Sequence, residues 1–118
     1  MDKILFGNFE KEKESHRGWV AGHFLDEDSP LKISDFELKW GRHKKGEKRE
    51  DIASASDVKS LAILISGKFK FDFPDENNSF VLEKEGDFCY YAGVSHSWEV
   101  LKDCLILTLR WPSVSSKD

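Results

Sequence analysis

Few of the usual signposts occur in this sequence, and each absence excludes something. Its 118 residues hold one Met, two Cys and three Pro. The longest unbroken apolar run, Leu61 to Ile65, is far short of a membrane span. The N-terminus, MDKILFGNF, has an acidic residue at position 2 and too short an apolar stretch for a secretion signal, so the expected location is cytoplasmic. Cys89 and Cys104 do not form a Cys-x-x-Cys pair, and two reduced thiols are expected. Asn77-Asn78-Ser79 matches a glycosylation sequon but reads as a polar turn. Excess positive charge is missing too: 18 Lys plus Arg against 22 Asp plus Glu leave a net charge of −4, which argues against nucleic-acid binding. No Gly-x-Ser-x-Gly elbow or phosphate-cradling Gly-rich loop appears, and neither cysteine adjoins a histidine, so nucleophilic catalysis has no support. Repeats and low-complexity segments are lacking, and helical spacing is almost absent.

What is present is material for a β-rich core. Hydrophobic residues make up 39% of the chain and aromatics 13%, enough to build one domain over residues 1–118 without a disulfide or metal to hold it together. Phe36 to Trp40 and Lys68 to Phe73 alternate apolar and charged residues with period two, the pattern of strands with one buried face. Further strands are expected over Gly18–Leu25, Leu61–Ser66, Phe80–Glu83, Phe88–Tyr91, His96–Leu101 and Cys104–Trp111. Gly67, Pro74–Ser79, Lys84–Asp87 and Lys102-Asp103 punctuate them as turns. Glu10–Arg17 reads as a loop between N-terminal strands, and Arg42–Arg49 as a solvated basic loop. Eight or nine short strands make an all-β barrel or sandwich, with Cys104–Trp111 central and covered on both faces.

Gly86-Asp-Phe-Cys-Tyr-Tyr-Ala-Gly-Val-Ser-His96-Ser-Trp98, preceded by an apolar strand that ends at Gly67, resembles the second half of a cupin. That family's second motif runs from a Gly through a Pro-x-Gly turn to an inward His; this chain keeps Gly86, Gly93 and His96 and has Ala92 near the place of the proline. Lys39 to Arg49 is similar to the strand and turn that lead into the first motif, with Gly46 at the turn. The first motif itself is degraded, and Ser60 stands where spacing from Gly67 would put its Glu. The resemblance covers residues 36–111, with 1–35 as preceding strands and loop. It implies an antiparallel jelly-roll β-barrel with little or no helix, paired as a homodimer through its sheet edges. Within the family the chain resembles small single-domain members without an assigned reaction.

His96 shares strand parity with Trp98 and Val100, which points its imidazole into the barrel. Tyr90, Tyr91 and Trp98, with Trp40 across the barrel, would line a pocket for a flat or sugar-like ligand. The first functional expectation is therefore a small organic ligand held by His96, Trp98, Tyr90 and Trp40 without a firmly held metal. The alternative is a metal-dependent dioxygenase or isomerase. There His96, His43 and Glu50 would bind iron, manganese, nickel or zinc, since a catalytic metal needs at least three protein ligands. Strand parity in Phe36–Trp40 turns His43 outward unless a bulge at Gly41 reverses it. A third reading is a non-catalytic interaction or regulatory module with Arg42–Glu50 as its contact surface. Arg49 is either exposed or a bidentate clamp for a carboxylate. His16 and His23 default to structural or surface roles.

Overall fold

Six antiparallel strands form a single sheet in the computed structural model, which describes residues 4–49, 52 and 57–113. They are β1 (Trp19–Ala21), β2 (Glu37–His43), β3 (Lys59–Phe73), β4 (Asn78–Leu82), β5 (Phe88–Tyr91) and β6 (Ser97–Trp111). Hydrogen bonding runs in the order β1-β2-β6-β3-β4, with β5 also on β3. The expected all-β jelly roll is the fold, its ladder left open rather than closed among the described residues, and Cys104–Trp111 is central as expected. No described helix is long and apolar enough to cross a membrane.

The strand count is lower than expected because two pairs of segments fuse. Leu61–Ser66 and Lys68–Phe73 are halves of one 15-residue strand, β3, and His96–Leu101 and Cys104–Trp111 merge from Ser97 onward into the 15-residue β6. Gly67 and Lys102-Asp103 bend these strands instead of ending them. The register between β3 and β6 shifts stepwise from Leu64 to Phe69, and a bulged ladder of this kind turns a strand sharply without breaking it. One half of β3 then pairs with β5 and the end of β6, and the other half with β4 and the start of β6. Each long strand thus serves both ends of the barrel. Ala62, Leu64, Phe69, Phe71, Phe73, Leu82, Val100, Cys104 and Ile106 make the buried core between them.

Glu10–Arg17 is not a loop. Phe9–Glu12 forms one helical turn, α1, capped by the Asn8 side chain, which accepts the Glu10 N–H at 2.8 Å, and a 3-10 turn follows over Lys13–His16. The turn docks on the outer face of β2: one Glu10 carboxylate oxygen accepts from Trp40 Nε1 at 2.7 Å and from the Arg42 guanidinium at 2.7 and 2.9 Å, while Phe9 packs on the Trp40 ring. Bonds from Lys13, Trp40 and Arg42 hold the Glu10 carboxyl down at about 2. The strand expected over Gly18–Leu25 shrinks to Trp19–Ala21.

Candidate functional site

The docked turn decides which face of β2 looks inward. Trp40 and Arg42 bond to Glu10 on the outside, and the opposite parity, Lys39 and His43, faces the barrel interior. The β2–β6 ladder runs without a shift from Glu37↔Arg110 to His43↔Cys104. No bulge at Gly41 is needed to bring His43 in. The parity rule failed because it took the more apolar face as the buried one, and here that face packs under α1.

Inside lies a cavity of about 360 Å3 that places His43, His96 and Trp98 on one lining with Tyr91, Phe69 and Phe71. The His96 ring sits 4.5 Å from the Tyr91 ring, and the His43 ring 5.2 Å from that of Trp98. Two residues expected here are elsewhere. Trp40 is on the outer face of β2, and Tyr90 is 51% exposed on the outside of β5, against Trp111 and beside Phe80 and Phe88. Tyr91 takes the inward place because strand side chains alternate. Its hydroxyl is within hydrogen-bonding reach of Ser60, which is buried on β3. Glu50 lies outside the described residues.

Four cationic residues reach the same lining: Arg17, Lys39, Arg49 and Arg110. Arg49 arrives by a route that the composition of Arg42–Arg49 conceals. Gly46 N–H donates to Val100 C=O, Val100 N–H to Glu47 C=O and Arg49 N–H to Trp98 C=O, so the segment turns back and pairs with β6 rather than hanging free. Arg110 is fixed by Glu37, which is 1% exposed: its Nε and a terminal nitrogen donate to Glu37 Oε2 at 2.9 and 2.7 Å, and Trp19 covers its guanidinium at 4.3 Å. Glu37 also accepts from Ser113 Oγ, which lies 2.6 Å from His23 Nδ1. His23 therefore has a structural role. Sequence reading missed Lys39 and Arg110, although the charged positions of two otherwise apolar strands were the signal.

The described donors do not make a metal site. His43 Nδ1 is engaged by Glu47 Oε1 at 2.9 Å, no group of three or more His, Cys, Asp or Glu converges among the described residues, and four cations share the lining. From the described residues a divalent ion would meet repulsion there instead of carboxylates. His96 Nδ1 is buried with no hydrogen-bond partner among the described residues. Burial first, then Arg49 and Arg110, push the His96 pKa down from 6.5 to about 4. An unfolded His96 therefore takes up a proton near pH 6.5 that the folded one refuses until about pH 4. Stability from this residue is intact above that window and is lost as pH falls through it. Allowing for solvent screening of a half-buried ring, the loss is roughly 1–2 kcal/mol. Urea unfolding of wild type and His96→Gln at pH 7 and pH 4.5 checks this. The wild type should lose ground to the variant at the lower pH, and an unchanged difference rejects the idea.

No family model and no curated protein matches the chain. Solved structures do. KdgF from a Halomonas species aligns with a TM-score of 0.61 at 16% identity, over 70% of this chain and 74% of that one. A cupin-2 domain containing protein from Shewanella frigidimarina gives 0.54 at 17% identity, over 89% and 92%. A sugar phosphate isomerase from a cupin superfamily, from Silicibacter pomeroyi, gives 0.56 at 15% identity, over 68% of this chain; the chain spans about half of that protein, 52%. At such identities the likeness is one of fold.

Proposed function

We propose, on the premise that this chain has the cupin fold, that it is a small-molecule-binding protein whose ligand sits in the barrel cavity against His96, Trp98 and Tyr91. One observation carries the reading. A concave space of about 360 Å3, the size of a small-ligand site, brings aromatic walls together with polar and charged side chains from β2, β3, β5 and β6. Tyr91 and Trp98 offer flat apolar faces. His96 Nδ1, without a partner among the described residues, adds a polar atom whose burial costs about 1–3 kcal/mol until something bonds to it. A metal is not needed for such binding, and elemental analysis of protein purified without chelator should find none at stoichiometric level.

The test is to fill the cavity. Thr108 lines it from β6, between the paired residues Lys39 and Ala62, and Thr108→Phe would occupy the space without changing charge. Small molecules that bind the full chain in ligand-observed NMR should lose at least about tenfold in affinity for this variant, the size of a lost well-packed contact set. Undiminished binding to Thr108→Phe would place the ligand elsewhere and end this reading.

A further inference from the structure

The cavity lining is one-sided in charge. Arg17, Lys39, Arg49 and Arg110 contribute to it and, among the described residues, no Asp or Glu does. The four come from separate places in the chain. Arg17 sits in the left-handed position that ends the 3-10 turn, Lys39 on β2, Arg49 on the segment paired with Trp98, and Arg110 on β6. Glu37 anchors Arg110 from behind, and Glu47 engages His43 and the Lys44 N–H. The mutual repulsion is felt by Lys39, whose ammonium is held below its usual range by burial and then by Arg110 and Arg49. A hollow lined by cations favours a negative occupant over a neutral one of the same shape.

Arrangement matters as much as sign. Glu37 and Trp19 hold the Arg110 guanidinium in place, so little side-chain freedom remains to be lost when it bonds to a ligand. Planar guanidinium groups match the paired oxygens of a carboxylate or phosphate. Beside them the Tyr91 and Trp98 rings, with Phe69 and Phe71, form an apolar wall. We propose that the ligand of this cavity is a small organic anion, with Arg49, Arg110 and Lys39 taking the oxygens of its carboxylate or phosphate group and the rings of Tyr91 and Trp98 taking a flat apolar body. This rests on the cavity-binding reading above and names its ligand class.

Matched probes separate the two claims. Benzoate and phenyl phosphate supply the two anionic groups; benzamide and benzyl alcohol are neutral counterparts of similar shape. Titration of the full chain is followed by calorimetry and by tryptophan fluorescence, since Trp19 and Trp98 line the cavity. The anions should bind saturably, at least about tenfold tighter than their counterparts, and more weakly as salt rises. Arg49→Gln and Lys39→Gln should each cost the anions about tenfold and leave the neutral probes unchanged, while Lys102→Gln, exposed and outside the lining, should change nothing. Arg110 is left intact because buried Glu37 depends on it, and circular dichroism confirms that the variants fold. The better of the two anions identifies the group. Equal binding of charged and neutral probes, abolished by Thr108→Phe, would overturn the anion proposal and leave cavity binding standing. No saturable binding by any probe, or binding that Thr108→Phe does not weaken, would overturn both.

Discussion

Gly67→Ala should lower the unfolding free energy by more than about 3 kcal/mol, the largest effect expected of any single methyl group in this chain. Gly67 has φ +93, and a Cβ there would lie 2.1 Å from the Asp103 carbonyl oxygen, 2.5 Å from Cys104 Cβ and 2.6 Å from Cys104 Cα. These are backbone and near-backbone atoms at the bend of β6, so no side-chain rotation relieves the overlap. The two long strands would have to part where they bend together, and both halves of the barrel share that bend. Gly46 provides the control. Its φ is +95, yet among the described residues nothing lies within 4 Å of its would-be Cβ, so Gly46→Ala incurs only the left-handed backbone penalty of about 1–2 kcal/mol. Urea unfolding of both variants decides the matter; equal losses would mean that backbone conformation, not close approach, requires glycine at Gly67.

Glu37→Gln should cost about 3 kcal/mol and loosen the cavity wall at the same time. The Glu37 carboxylate is almost fully buried and meets Arg110 and Ser113, with His23 Nδ1 3.8 Å away. Removing its charge strands a guanidinium that has already given up most of its water, and breaking a buried pair typically costs 3–5 kcal/mol. Arg110 retains some exposure, which puts the expectation at the lower end. The double variant Glu37→Leu/Arg110→Leu should recover much of the stability, because replacing both partners by apolar groups avoids the unpaired charge. A double-mutant cycle by urea unfolding measures the coupling. If the double variant is as unstable as the sum of its single changes, the two residues are not a pair in the energetic sense.

Much of this architecture could be read from period-two patterning. The turn formers at Pro74–Ser79 fall where a 3-10 turn and the left-handed Asn77 carry β3 into β4, and Phe88–Tyr91 is a strand with the expected bounds. Patterning could not tell a bend from a break. Gly67 and Lys102-Asp103 are turn-forming residues by composition, and whether a strand ends there depends on what lies opposite, which is the other strand's own bend.

The candidate site divides in the same way. His96, Trp98 and Tyr91 could be placed on the cavity from the motif, whereas Trp40 and Tyr90, also expected there, fall outside it and Lys39 and Arg110 fall within. Parity along a strand states which residues share a face and leaves open which face is inside. In β2 the outward face is the one whose Trp40 and Arg42 bond to Glu10, far away in the chain. The sequence by itself determined an all-β chain, which residues share a strand face and the turn at Pro74–Ser79, because these follow from local spacing and backbone preference. Tertiary structure alone decided that four dispersed cations share one hollow, because charge convergence depends on register between strands distant in the chain.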